Sequence, residues 1–168
     1  MVMGSKGTSG LEEMLVGSNT EKVVRNSDIP VVVIKQDVED FKIENIVFAS
    51  NFKEENKIAF PKILNFAKLF DSTLHLLKIN TIHNFETTKE SSDAIKNFIS
   101  GSDLGEFTLN IYNDVSVESG ILNFAKVIDA DVIILNTHGR RGLAHLFSGS
   151  IGEDLANHAK LPVITFKI

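Results

Sequence analysis

The sequence predicts an α/β fold: five parallel strands in one sheet, with helices on both faces. Three observations lead there. Short apolar runs alternate with segments of helical period in the order βαβαβαβαβ. The runs are apolar almost throughout, as strands covered on both faces are. A long glycine-punctuated loop, Asn136 to Ser150, joins one such run to a helix start.

The elements follow in order. Residues 1–35 supply a short strand, a loop, a helix over Thr20–Arg25 and a strand over Pro30–Ile34. Its proline comes first, where a missing N–H is tolerated. Residues 36–41 are polar and read as a linker. The five-strand unit then spans 42–168, with strands predicted at Glu44–Ala49, Thr73–Ile79, Phe107–Tyr112, Val132–Leu135 and Leu161–Phe166. A helix over Glu54–Phe70 carries Ile58, Ile63, Leu64, Phe66, Ala67 and Phe70 on one face. Pro61 inside it implies a kink or a later start. Residues 80–88 read as a loop, Ala94–Ile99 as part of a helix, and Val117–Asp129 as a helix with Ile121, Leu122, Phe124, Ala125 and Ile128 inward.

The glycine loop is the candidate site. Glycines let backbone N–H groups approach an anion, and Ser150 with Glu153 forms a capping-box signature at a helix start. Arg140 and Arg141 add charge. A tight turn that binds nothing is the competing reading of the same residues. Asn51 and Ile79 also fall at strand carboxyl ends, where ligands of open α/β sheets bind.

The loop occurs twice at a fixed offset of about 132 residues. Gly7 matches Gly139, Gly10 matches Gly142, Gly17 matches Gly149 and Ser18 matches Ser150. Glu21, Pro30, Val31 and Lys35 match Glu153, Pro162, Val163 and Lys167 without a gap. Residues 1–35 are therefore expected to be the end of a first domain, shortened at its N-terminus, and 42–168 a complete second one.

Composition excludes several classes. The net charge of −5 argues against a broad nucleic-acid footprint. There is no cysteine, so disulfides and thiolate chemistry are out. No apolar run is long enough to span a bilayer, and residues 1–10 lack the layout of a signal peptide. A cytoplasmic setting is expected. No catalytic set and no metal-ligand spacing stand out, and no P-loop lysine follows the glycines. His75 reads as a satisfied core or surface histidine.

With these residues in view the chain resembles the universal stress protein family. Nucleotide-binding members carry Gly-x2-Gly-x9-Gly-Ser/Thr between a strand and the last helix. The first copy fits with Gly4, Gly7, Gly17 and Ser18; the second has Gly139, Gly149 and Ser150, but Asn136 in place of the first glycine. Asn51 stands where the family usually has aspartate. The resemblance implies a Rossmann-like fold whose cleft holds ATP or another adenine nucleotide. Ser50 and Asn51 would neighbour the adenosine and Ile79 the base. Asn136, His138, Gly139, Arg140, Gly149, Ser150 and Ile151 would surround ribose and phosphates. The two asparagines imply that binding is weakened or lost, and they leave a role for Mg²⁺ open. The leading expectation is a non-catalytic stress-response module acting through self-association, with the last strand at a homodimer edge and the Pro30–Ile34 strand pairing antiparallel with strand 162–166, within one chain or between two. A slow ATP hydrolase or nucleotide-transfer enzyme is the first alternative. A purely structural dimerisation module with an empty cleft is the second.

Overall fold

The computed structural model describes residues 1–4, 23, 24, 26–34, 42–137, 159 and 161–168. Its strands are β1 (Val2–Gly4), β2 (Val31–Ile34), β3 (Asn45–Ala49), β4 (Thr73–Asn80), β5 (Phe107–Asn113), β6 (Val132–Thr137) and β7 (Val163–Lys167). Its helices are α1 (Phe60–Leu69), α2 (Thr88–Ile99) and α3 (Val117–Val127), with a 3-10 turn over Glu54–Ile58 before α1. Val23, Val24 and Asn26 are also helical. The linker over 36–41 lies outside the described residues.

The strands form one sheet in the order β1-β2-β7-β6-β3-β4-β5. This corrects the expectation of five strands to seven. Every pairing is parallel except β2 with β7. That antiparallel pairing is the one expected of the Pro30–Ile34 and Pro162–Phe166 strands, and it is made within the chain, which corrects the expectation of a last strand at a homodimer edge. β7 is not an edge: β6 pairs with one side of it and β2 with the other, with Val32 opposite Ile164 and Val33 opposite Val163. The physical reason is that an unpaired apolar edge needs a partner, and β2 supplies one from within the chain. Pro30 precedes the ladder, so its missing N–H breaks no bond.

Local sequence explains the helix boundaries. The proline problem is solved by two short pieces: the 3-10 turn ends before Ala59, and α1 then starts with Pro61 in its first turn, where no N–H is required. α2 begins at Thr88, earlier than the predicted helix. Thr87 is its cap: its hydroxyl accepts from the Glu90 N–H at 3.2 Å, and the Glu90 carboxylate accepts from the Thr87 N–H at 2.8 Å. α3 starts after Ser116, whose hydroxyl accepts from the Ser119 N–H.

The sheet is covered on both faces. On one, Ile46, Phe48, Leu74, Leu76, Val132, Ile134, Ile164 and Phe166 pack under α1 and α2. Phe48, Phe52, Phe60 and Phe98 meet there, and the tightest ring pair, Phe60 with Phe98, is 4.8 Å between centroids. On the other, Val47, Leu77, Ile79, Ile133, Leu135 and Val163 pack against Ile121, Phe124 and Ala125 of α3. A smaller cluster of Val24, Val31 and Val33 covers one face of β2. β3 and β6 are pinned at their amino ends by Asp131, whose carboxylate accepts from the N–H groups of Glu44 and Asn45, each at 2.8 Å.

His75 on β4 has the satisfied surroundings read from the sequence. Thr108 lies 2.7 Å from its Nδ1 and Asn45 Oδ1 lies 3.2 Å from its Nε2. With the proton on Nε2, the ring donates to Asn45 and accepts from the Thr108 hydroxyl, so the neutral ring is fully bonded. Burial lowers its pKa from the ordinary histidine value.

Two outcomes follow from the packing. Phe98→Ala removes the ring common to three aromatic contacts and should cost about 3–5 kcal/mol in urea unfolding. For His75 the unfolded chain takes up its proton first as pH falls. Stability should therefore decline as pH drops below about 6.5, the ordinary histidine value, and flatten once the folded form titrates too. Urea midpoints between pH 7.5 and pH 5 should fall less in His75→Gln than in the parent.

Candidate functional site

The site is set by the carboxyl ends of β3, β4 and β6. From β3 the chain crosses through α1 to β4 on one side, while β6 leads to β7 on the other. Strand order therefore reverses between β3 and β6, which pair directly. In open α/β sheets the crevice at that point holds ligands.

The turn after β3 is built by side chains acting on backbone. The Ser50 hydroxyl accepts from the Phe52 N–H at 3.0 Å, and Asn51 Oδ1 accepts from the Lys53 N–H at 3.0 Å. Phe52 takes a φ of 56°, the left-handed region that bulky residues avoid. Burial of its ring against Phe48 and Phe98 holds it there.

Asn51 and Asn136, the two family departures, are joined by a third amide. Asn56, buried in the 3-10 turn, donates from Nδ2 to Asn51 Oδ1 at 2.7 Å. Asn136 Nδ2 donates to Asn56 Oδ1 at 3.0 Å and to the Asn56 carbonyl at 3.3 Å. Both acceptors face Asn136, which fixes the orientation of its amide. Its Oδ1 is left buried without a hydrogen-bond partner among the described residues.

The other predicted residues divide into two groups. Ile79 is buried at the end of β4 and packs against Gly120 of α3, where an added Cβ would lie 2.8 Å from its Cγ2. Gly4 ends β1 and, among the described residues, has no neighbour within 4 Å of the place a Cβ would occupy. Gly7, Gly17, Ser18, His138, Gly139, Arg140, Gly149, Ser150 and Ile151 lie outside the described residues.

A second polar cluster at this edge escaped the sequence reading. Lys78 is buried in β4 and paired with Glu86, whose carboxylate also accepts from the Ser91 hydroxyl at 3.2 Å. Asn80 Nδ2 donates to the Glu86 carbonyl at 3.0 Å. These bonds tie the connection after β4 to the sheet. A lysine inside an apolar strand was the available signal, because a buried charge requires a partner. Asn56 carried no comparable signal. Among the described residues no group of three His, Asp or Glu could hold a metal ion, and no helix is long and apolar enough to cross a membrane.

Comparison with known proteins agrees with this fold. A family model described as "Universal stress protein family" matches residues 1–35 and 111–167, more than half of the chain. The chain belongs to that family. It is 23% identical over 176 residues to the universal stress protein Slr1230 of Synechocystis, covering 99% of this chain and 57% of that protein. A universal stress protein structure from Archaeoglobus fulgidus superposes with a TM-score of 0.75 at 22% identity, over 99% of this chain and 59% of that one. The chain thus spans less than two thirds of the length of both. A universal stress protein solved in complex with cAMP gives a TM-score of 0.56 at 14% identity, over 75% of this chain and 98% of that one.

The contact between Gly120 and Ile79 is tight enough to test. Gly120→Ala puts a methyl group against the buried Ile79 side chain and should destabilise the protein by about 1–3 kcal/mol, read by urea unfolding. Adding Ile79→Val should recover part of that loss.

Proposed function

We propose that this universal stress protein is a non-catalytic stress-response module that takes an adenine nucleotide, weakly, in the crevice between β3 and β6. The observation that carries the reading is the convergence of Ser50, Asn51 and Asn136 at the carboxyl ends of β3 and β6, where strand order reverses. Glycine-rich sequence follows β6 directly, suited to phosphate through backbone N–H groups. The relative solved with cAMP supports the same ligand class. We assign residues 1–35 to the end of one unit and 42–168 to a second, joined by 36–41, in a cytoplasmic homodimer. The His138, Gly139, Arg140, Gly149, Ser150 and Ile151 set would meet ribose and phosphates.

Binding by this crevice should need no divalent cation. Asn51 and Asn136 offer neutral amides, whereas Mg²⁺ takes carboxylates and phosphate oxygens. A second reading, an association module with a closed cleft, draws on the amide bridge from Asn136 to Asn56.

Calorimetry with ATP, AMP and cAMP, each with Mg²⁺ and with EDTA, tests the proposal. The expected result is saturable binding that EDTA leaves unchanged, and about a tenfold gain with Mg²⁺ in Asn51→Asp. Absence of binding by all three nucleotides would leave the association reading. Light scattering should report a dimer mass; a monomer at all concentrations would remove self-association.

A further inference from the structure

The three amides at the crevice form a one-way chain of donors. Asn136 donates to Asn56, Asn56 donates to Asn51, and Asn51 Oδ1 also accepts the Lys53 N–H. The chain bridges the two strands between which the cleft lies, and it holds the 3-10 turn Glu54–Ile58 against the end of β6. Hydrogen bonds linked in series strengthen one another.

One end of the chain is left incomplete. Asn136 Oδ1 is buried and unpartnered among the described residues, so the bridge is held against the cost of a desolvated acceptor. The internal repeat provides the contrast. Gly4 occupies the position that matches Asn136, at the end of β1, with no described residue within 4 Å of where a side chain would start. Glycine cannot bridge, so the device is confined to the second copy.

We propose that Asn51, Asn56 and Asn136 are a latch over the crevice. As seen, it is closed. It opens when Asn136 turns away from Asn56, and a ligand carrying O–H or N–H donors stabilises the open form by pairing with the orphan oxygen. The ribose hydroxyls or the exocyclic amine of an adenine nucleoside fit that requirement. The inference rests on the adenine-nucleotide reading above and names what controls entry to that site. Apparent affinity is then the intrinsic affinity scaled by the fraction of molecules with the latch open.

The test is ATP titration by calorimetry of the parent protein, Asn136→Gly and Asn56→Ala, with folding checked by circular dichroism. Asn56→Ala, which frees Asn136 and keeps its Oδ1, should bind ATP about tenfold more tightly than the parent, and Asn136→Gly, which also removes that oxygen, should gain less. In the parent, the side-chain amide resonances of Asn56 and Asn136 should shift together when ATP is added, a reading that needs no variant. Equal or weaker ATP binding by folded Asn56→Ala, with binding by the parent intact, would overturn the latch and leave the nucleotide reading standing. Amide resonances unmoved by saturating ATP would also overturn it. Failure of the parent and both variants to bind ATP would remove both.

Discussion

The pairing of β3 with β6 is the constraint on which the rest depends. These are the strands at which the chain changes direction across the sheet, and both are buried on both faces. Neither has a free edge, so every backbone donor and acceptor must be met by a neighbouring strand. The register is fixed at the amino ends by Asp131, which holds the start of β3 beside the start of β6. At the carboxyl ends the same two strands are joined by side chains instead, through Asn51, Asn56 and Asn136. A one-residue slip would exchange the two apolar faces and break both fastenings. The candidate cleft is thus a product of the pairing that stabilises the core.

The second organising contact is the antiparallel pairing of β2 with β7. It extends a parallel sheet by two strands that run the other way. Lys167 of β7 and Asp28 before β2 add an exposed ion pair across this junction. Such a pair contributes little, and the ladder bonds and the Val24, Val31 and Val33 cluster do most of the holding. Because β7 is closed within the chain, any self-association must use another surface. β1 and β5 are the outer strands of the sheet.

The polar groups at the carboxyl edge share one property: each is tied to a backbone element. Ser50 and Asn51 shape the turn after β3, while Glu86 fixes the connection after β4 through Lys78, Asn80 and Ser91. Rigid walls of this kind suit a binding site, since little ordering remains to be done when a ligand arrives. The neutral amides set the chemistry of the β3–β6 crevice apart from a carboxylate-lined one.

The sequence by itself determined the α/β class, the order of elements, the repeat and the position of Asn51 and Asn136 at strand ends. Those features are local: apolar runs, helical period, glycine spacing and a fixed offset are all written along the chain. The capping box at Thr87 and Glu90 and the lysine at 78 inside an apolar strand are local signals too, yet both escape the sequence reading, the one within a segment that reads as a loop and the other within a strand that reads as uniformly apolar. Tertiary structure alone decided what is written between distant residues. It closed the antiparallel pairing of β2 with β7, which the repeat predicts, within one chain and not between two, because that depends on whether β2 can reach back to its own β7. It also brought Asn56 to Asn136, 80 positions apart, since a side-chain hydrogen bond between elements leaves no periodic trace in the sequence.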